Sequence, residues 1–411
     1  MVERRVAVTG MGLVSPLGST LDALYANLLA GVSGIRRMRA DFSGRLECKI
    51  AAQVDFDPLQ YFSKSKAGSL DRVSQFALAA ARQAIDDAGL NLDAVDKSRI
   101  GIYLGTAMGG QTTNEEACER VYGPQGGRLR PLSVVMAMMN AAAAQIGLEF
   151  DLRAANLTFS TACASSAVAI GEAFHLIRRG GTDVMLAGGS EALLTLATIK
   201  AWEALRALAT EDAGDPAASC KPFAADRSGL VLGEGAALLV LEDMEHAVAR
   251  GARIYAELAG YGSNNDCRHI TQPSAEGQAA AMRAALSSAG LAPGDIGYIN
   301  AHGTATPLND AAETAAIRQV FGAAADYVPV SSSKSMHGHL MGATAAIELI
   351  ISILALTRGV LPPTINLHHP DPACDLDYVP NIARSGVALR YVMSNSFAFG
   401  GTSGVLIAGK V

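Results

Sequence analysis

The sequence predicts an α/β fold made by duplication, with two mixed sheets and a shared helical layer. Three observations carry this. A helix-like stretch closing on Ala-Gly-Leu, then a short loop, an apolar strand and a Gly-Thr turn, occurs at 76–106 and again at 279–304. A second unit, in which a strand enters a polar turn and a long apolar helix follows, also occurs twice. Half of the 411 residues are hydrophobic, 18% are charged and 42 are glycine, with no low-complexity linker or charge block along the chain.

In order, Glu3, Arg4 and Arg5 precede Val6-Ala7-Val8-Thr9-Gly10, a strand start whose apolar run is too short and glycine-broken for a secretory leader. Phe76 to Ile85 has helical spacing of small apolar residues, and Ala88-Gly89-Leu90 closes it with a glycine cap. Arg99 to Leu104 reads as a buried strand ending at Gly105-Thr106. Leu157-Thr158-Phe159-Ser160 then enters the turn that holds Cys163, and a small-residue helix runs to Arg178-Arg179-Gly180. The second half repeats this. Ala279 to Leu286 leads through Ala289-Gly290-Leu291 to the strand Ile296–Asn300. Tyr327-Val328-Pro329-Val330 enters Ser331-Ser332-Ser333-Lys334, and the next helix ends at Thr357-Arg358-Gly359. The apolar run Met341 to Leu356 contains Glu348 and is too short for a membrane span.

Thirty-three Lys and Arg against 39 Asp and Glu give a net charge of −6, which argues against nucleic acid or an anionic membrane surface as the main partner. Six cysteines (Cys48, Cys118, Cys163, Cys220, Cys267, Cys374) are scattered without CxxC spacing. That argues against a structural zinc site and for a reducing, cytoplasmic setting.

Cys163 stands at a strand-to-helix turn, where unpaired amides and the helix dipole favour thiolate over thiol. That position suits a nucleophile, although most cysteines are inert buried apolar residues. The equivalent turns of the second half carry His302, in Asn300-Ala301-His302-Gly303-Thr304, and Lys334 and His339, in Ser333 to Ala343. A metal site at His337 and His339 is weakly supported, since alternation points the two side chains apart and no carboxylate follows at ligand spacing. A cysteine hydrolase needs one base and an orienting group; two histidines and a lysine suggest charge developing at more than one oxygen. Asn395 to Gly404 contains Phe399-Gly400-Gly401, lacks a nucleotide-binding pattern, and can bring backbone amides close to a reacting carbonyl. Taken alone, the segment reads better as a tight turn with two core phenylalanines.

Together these four motifs resemble the β-ketoacyl-acyl carrier protein synthases, elongating condensing enzymes of the thiolase superfamily. The resemblance runs nearly end to end, through Val6 to Gly12, Ala187-Gly188-Gly189-Ser190-Glu191, Lys221-Pro222-Phe223, Gly233-Glu234-Gly235 and Leu361 to Leu367. It implies a duplicated thiolase-like fold layered α-β-α-β-α, with the nucleophilic cysteine in an N-terminal half, 1–250. The His/Lys/His set and the glycine-rich gate loop then fall in a C-terminal half, 251–411.

It also implies decarboxylative Claisen condensation of malonyl-acyl carrier protein with an acyl chain on Cys163. His302 and His339 would stabilise the enolate, and the amides of Cys163 and Phe399, beside Gly400, would form the oxyanion hole and gate. Lys334 would order the site with Glu348 and Asp310 as acidic neighbours, and Thr304 and Thr306 would hold the pantetheine arm. The implied protein is a homodimer, or a heterodimer with a chain-length factor, with no metal or nucleotide cofactor; 4'-phosphopantetheine arrives on the acyl carrier protein.

Some positions depart from the family pattern. Ala398 stands where glycine often precedes the gating phenylalanine, and would be strained if that position has positive φ. His337 stands where threonine is common. Met108 falls near the acyl-pocket wall, where it either tunes chain length or is ordinary core. Lys64, Lys66, Arg72 and Arg206 are candidates for a basic patch that receives the acidic carrier protein. The apolar stretch Val134 to Ile146 is a candidate subunit interface or internal core. The alternative functions are the catalytic ketosynthase of a type II polyketide or polyene pathway, a non-catalytic chain-length subunit, and a thiolase or thioesterase. The complete Cys163, His302, Lys334, His339 set argues against the chain-length subunit, and the lack of a cysteine after Cys374 argues against a thiolase.

Overall fold

A computed structural model describes residues 3–124 and 126–411. Its main sheet has ten strands: β1 (Val6–Val14), β2 (Ile100–Gly105), β3 (Asn156–Phe159), β4 (Val184–Glu191), β5 (Gly235–Asp243), β6 (Ala256–Asn265), β7 (Ile296–Asn300), β8 (Val330–Ser331), β9 (Tyr391–Phe397) and β10 (Thr402–Gly409). Their spatial order is β8-β7-β9-β10-β6-β1-β5-β4-β2-β3. Counted by rank within each half, both halves read 3-2-4-5-1. The pairing directions also match: β2 is parallel to β3 and β4, while β4–β5 and β5–β1 are antiparallel. β7 is parallel to β8 and β9, while β9–β10 and β10–β6 are antiparallel. The two expected sheets are therefore the two halves, and they join only through Val6–Val8 of β1 against Ala256–Leu258 of β6.

Five helices complete the layers: α1 (Arg72–Asp87), α2 (Ser165–Arg178), α3 (Ala275–Ala289), α4 (Asn309–Phe321) and α5 (Thr344–Arg358). α2 and α5 touch strands of both halves, which makes them the shared inner layer; α1 covers the first half from outside and α3 covers the second. Strand alternation assigns the faces. Val184 and Leu186 pack in the cluster under α1, while Met185 and Ala187 join the inner cluster with α2 and α5. Val405 and Ile407 face α3, and Leu406 and Ala408 face inward. With both faces covered, β4, β5 and most of β10 are buried along their length, which is why they read as continuous apolar runs. The helical segment Met341–Arg358 runs beyond the apolar stretch marked in the sequence and reaches membrane-crossing length. It is buried as the central element of the inner layer, so the fold accounts for its apolarity.

The helix ends follow local rules. Asp71 caps α1 by accepting from the Val73 amide, and Ser274 caps α3 by accepting from Gly277. Gly89 and Gly290, at φ 56° and 66°, end the same two helices in the left-handed conformation. α2 and α5 have no side-chain cap at their N-cap residues; the Ala346 amide in the first turn of α5 donates instead to Ser166 Oγ of α2 at 3.1 Å.

A close backbone approach recurs in both halves. A Cβ on Gly10 or Gly12 of β1 would lie 2.2 Å from the Ala84 carbonyl or 2.1 Å from that of Ala80, both on α1. On β6, a Cβ on Gly260 or Gly262 would meet Ala285 O at 2.6 Å or Ala281 O at 2.3 Å, both on α3. Backbone atoms cannot yield as a side-chain tip can. Gly12→Ala and Gly262→Ala are each expected to destabilise the protein by about 1–3 kcal/mol. A thermal-unfolding midpoint unchanged in either variant would contradict this packing.

Candidate active site

Cys163 lies in a single 3-10 turn, Ala162–Ala164, between β3 and α2. Ala162 takes φ 48°, a left-handed conformation that costs a non-glycine residue about 1–3 kcal/mol. Ser165 holds the turn, since its hydroxyl donates to Ala162 O (2.6 Å) and accepts the Thr161 amide (2.9 Å). The sulfur is buried at the uncapped N-terminus of α2.

The second half supplies the facing groups. Buried Lys334 begins a short helix after β8, and its ammonium donates to Glu348 Oε1 of α5 (2.6 Å), His302 O (2.5 Å) and His302 Nδ1 (3.4 Å). His302 follows β7, and its amide and that of Gly303 donate to the Glu313 carboxylate of α4 at 2.8 Å each. His339 Nδ1 lies 2.9 Å from Thr344 Oγ1 and accepts the Met341 amide at 3.2 Å. The imidazoles meet edge to face, with centroids 5.5 Å apart. One nitrogen of each ring and Cys163 Sγ all lie within 4.8 Å of one another.

The hydrogen-bond network assigns the tautomers. An ammonium and a backbone amide only donate, so both Nδ1 atoms accept and the ring hydrogens sit on Nε2. His339 Nε2 is buried with no partner among the described residues. Burial, then the Lys334 charge, holds both histidines well below their usual pKa, so both are neutral N–H donors.

The cysteine departs from the sequence expectation. Burial pushes the Cys163 thiol up to about 11, although the Lys334 charge and the amides of Phe399 and Cys163 pull the other way. The helix N-terminus favours thiolate, but loss of water around the sulfur outweighs it. Burial likewise raises Glu348 to about 7 against the pull of Lys334.

Other expected neighbours also move. Asp310 does not pair with Lys334; it accepts the Phe223 amide at 2.8 Å and lies 4.0 Å from Arg227. One turn later on the same face of α4, Glu313 takes the place beside His302, and no sequence pattern separated the two acids. His337 points away from His339, with its ring nitrogens bonded to Gly338 O and Ser333 Oγ. Arg72 is not available to a carrier protein, because it is the bidentate counter-ion of buried Glu234. Lys66 contacts Gln145 and Glu149. Lys64 and Arg206 remain exposed and make no ion pair among the described residues.

The loop between β9 and β10 turns at Gly400 (φ 85°) and Gly401 (φ 81°). Ala398 is not in the left-handed region, so the strain considered for it is absent; its amide donates to Thr402 O. Phe399 stacks on Trp202, a residue the sequence reading missed, with centroids 5.9 Å apart. Phe399 also borders a small cavity of about 40 Å³ lined by Ile270, Thr271, Pro273 and Phe397, while its amide acts on the Cys163 sulfur. Met108 packs in the apolar cluster that contains Cys163, Met341 and Ala398. Thr304 and Thr306, just beyond His302, bond each other at 2.9 Å, and Thr306 also accepts the Asn309 amide at the start of α4.

Known proteins resemble this chain along most of its length. The family described as "Beta-ketoacyl synthase, N-terminal domain" matches residues 3–247, and "Beta-ketoacyl synthase, C-terminal domain" matches residues 255–368. The chain is 42% identical over 411 residues to 3-oxoacyl-[acyl-carrier-protein] synthase 2 of Staphylococcus aureus (strain COL), covering 99% of each. Among solved structures, the ishigamide ketosynthase/chain length factor matches with TM-score 0.93 and 37% identity, covering 100% of both chains. A type II PKS acyl-carrier protein in complex with its ketosynthase bound to the hexaketide matches with TM-score 0.91 and 35% identity, again covering 100% of both.

A thiol titrating near 11 gains thiolate about tenfold per pH unit through the neutral range. Alkylation of Cys163 by iodoacetamide, followed by peptide mapping to separate it from exposed Cys118 and Cys267, is expected to accelerate accordingly between about pH 7 and 9. A rate that levels off within that range would mean a depressed pKa.

Proposed function

Because this chain belongs to the β-ketoacyl synthase family, we propose that it condenses malonyl-acyl carrier protein, with loss of CO2, onto an acyl chain held on Cys163. The product is a β-ketoacyl-acyl carrier protein, in fatty-acid-type elongation. One observation carries this reading: the Cys163 sulfur shares a buried space, within 4.8 Å, with nitrogens of two neutral histidines that keep N–H donors.

In the first step, sulfur attacks the acyl thioester. A Cys163 S–C bond forms, the pantetheine C–S bond breaks, and the thiol proton leaves on the pantetheine sulfur. The amides of Cys163 and Phe399 donate to the carbonyl oxygen as it gains charge. In the second step, the C–C bond to the malonyl carboxylate breaks and CO2 departs. The electron pair becomes an enolate whose oxygen accepts from the two Nε2–H groups. Neutral donors suit this step, since they stabilise the enolate without delivering a proton that would quench it. The enolate carbon then attacks the acyl carbonyl, the C–S bond breaks, and the thiolate takes up a proton.

The same reading makes Thr304 and Thr306 contacts of the pantetheine arm, which arrives on the partner, so no resident cofactor is needed. Lys64 and Arg206 are the exposed cations that remain to meet an acidic carrier protein. The chain works in the cytoplasm as a dimer. Val134, Val135, Met138 and Met139 are exposed while Ala142, Ala143 and Ile146 are buried, so the apolar stretch divides into a surface part and a core part. An exposed apolar face of this kind supports a subunit contact.

A second reading, the catalytic ketosynthase of a type II polyketide or polyene pathway paired with a chain-length factor, is favoured by the likeness to the two polyketide-type structures. Co-purification with a cysteine-lacking relative selects it; recovery as a homodimer selects the first.

Intact-mass analysis with a panel of acyl carrier proteins is expected to reveal an acyl adduct on the protein and none on Cys163→Ala. Met108→Ala should shift the accepted chain lengths upward, and an unchanged profile would remove Met108 from the pocket wall.

A further inference from the structure

The Ala187-Gly188-Gly189-Ser190-Glu191 motif at the end of β4 has no part in the chemistry above. Its last residue, Glu191, is fully buried, and the four hydrogen bonds it accepts all come from uncharged donors. One oxygen takes the Thr106 hydroxyl (3.1 Å) and the Met108 amide (3.2 Å). The other takes the Ala107 amide (2.6 Å) and the Gly342 amide (3.0 Å). The donors come from two separate turns: the one after β2, which carries Met108, and Met341–Ala343, which leads into α5. A buried carboxylate solvated only by such groups holds them firmly, because releasing any one leaves charge without a partner.

The second turn reaches the reacting centre. Its Met341 amide donates to His339 Nδ1, the bond that leaves the ring hydrogen on Nε2, and His339 lies beside Cys163. The two turns touch: a Cβ on Gly342 would stand 2.5 Å from the Ala107 nitrogen. Met108 and Met341 also pack in the same apolar cluster as Cys163. The two turns that Glu191 ties together therefore both border the apolar cluster around the sulfur.

Resting on the condensing function above, we propose that Glu191 is a positioning residue that clamps the acyl-pocket turn to the His339 turn. The fit of the acyl chain against Met108 then sets the alignment of the His339 donor for malonyl decarboxylation. Glu191 touches neither substrate. It makes discrimination between acyl chains a property of the decarboxylation step as well as of loading.

Glu191→Gln keeps the volume but turns an NH2 group toward donors, so at least one of the four bonds is lost. Two half-reactions of the full-length protein test the proposal: transfer of acyl groups from acyl carrier protein to Cys163, read by intact mass, and CO2 release from malonyl carrier protein by the acylated protein. Loading is expected to stay within about threefold of the unaltered protein, while CO2 release falls at least about tenfold and its dependence on acyl length flattens. Equal losses in both half-reactions, or no loss in either, would overturn the proposal, since a merely structural residue lowers both with the folded fraction. If Glu191→Gln does not accumulate folded, Thr106→Val removes one donor and keeps the carboxylate, and the same split decides. A wild-type protein that forms no Cys163 adduct would instead sink the condensing function, and this proposal with it.

Discussion

Lys334 places a positive charge where water does not reach, and its protons go to Glu348, to the carbonyl of His302 and to the ring of His302. A buried ion pair is tolerated only when its geometry and its remaining hydrogen bonds are complete. That demand pins three pieces of the fold to one point: the turn after β8, the turn after β7 and the helix α5. It also adds to the burial that keeps both imidazoles neutral, fixes the His302 tautomer, and opposes the cost of forming a thiolate at Cys163. Take away the ammonium and the three pieces lose their common point and His302 loses its fixed tautomer, while burial alone still disfavours both imidazolium ions.

The duplication explains how so much polar chemistry is buried in an apolar fold. Each half ends its parallel strands in turns that face the shared helices α2 and α5, and neither helix spends a side chain on capping its own N-terminus. The first half uses its turn to present a sulfur; the second uses equivalent turns to present two imidazoles and an ammonium. The glycines of β1 and β6 set equivalent helix-to-strand distances in both halves, so the turns are carried on scaffolds of matching depth. One strand order thus supplies two faces that carry different side chains.

Burial acts on the site in two directions. It raises the Cys163 thiol and lowers the histidines, and both shifts follow from the same exclusion of water. A thiol of high pKa is a poor resting nucleophile, yet the neutral N–H donors made by that environment suit an enolate, which a cationic histidine would protonate. Under the proposed condensation the site favours the carbanion step, and the amides at Cys163 and Phe399 together with Lys334 compensate at the sulfur.

Cys163, His302, Lys334 and His339 were legible in the sequence because each lies in a glycine- or serine-flanked turn that repeats between the halves. The strand-helix alternation and the two Ala-Gly-Leu caps were legible for the same reason: local chemistry repeats locally. Glu313 and Trp202 were not, since a lone acid or aromatic on a helix carries no mark of the group it will meet; Glu191 was visible as the end of a motif, but nothing local marks the two turns it binds. Asp310 and Glu313 share a face of α4, and only the placing of that helix beside the turn after β7 and beside Phe223 chose between them. Arg72 looked like a surface cation until buried Glu234 claimed it. The sequence by itself determined the elements, their duplication and the reactive side chains, because backbone propensity and apolar periodicity act over a few residues. The protonation states, the acidic partners and the clamp at Glu191 were decided by tertiary structure alone, because burial and charge at a point sum over segments far apart in the chain.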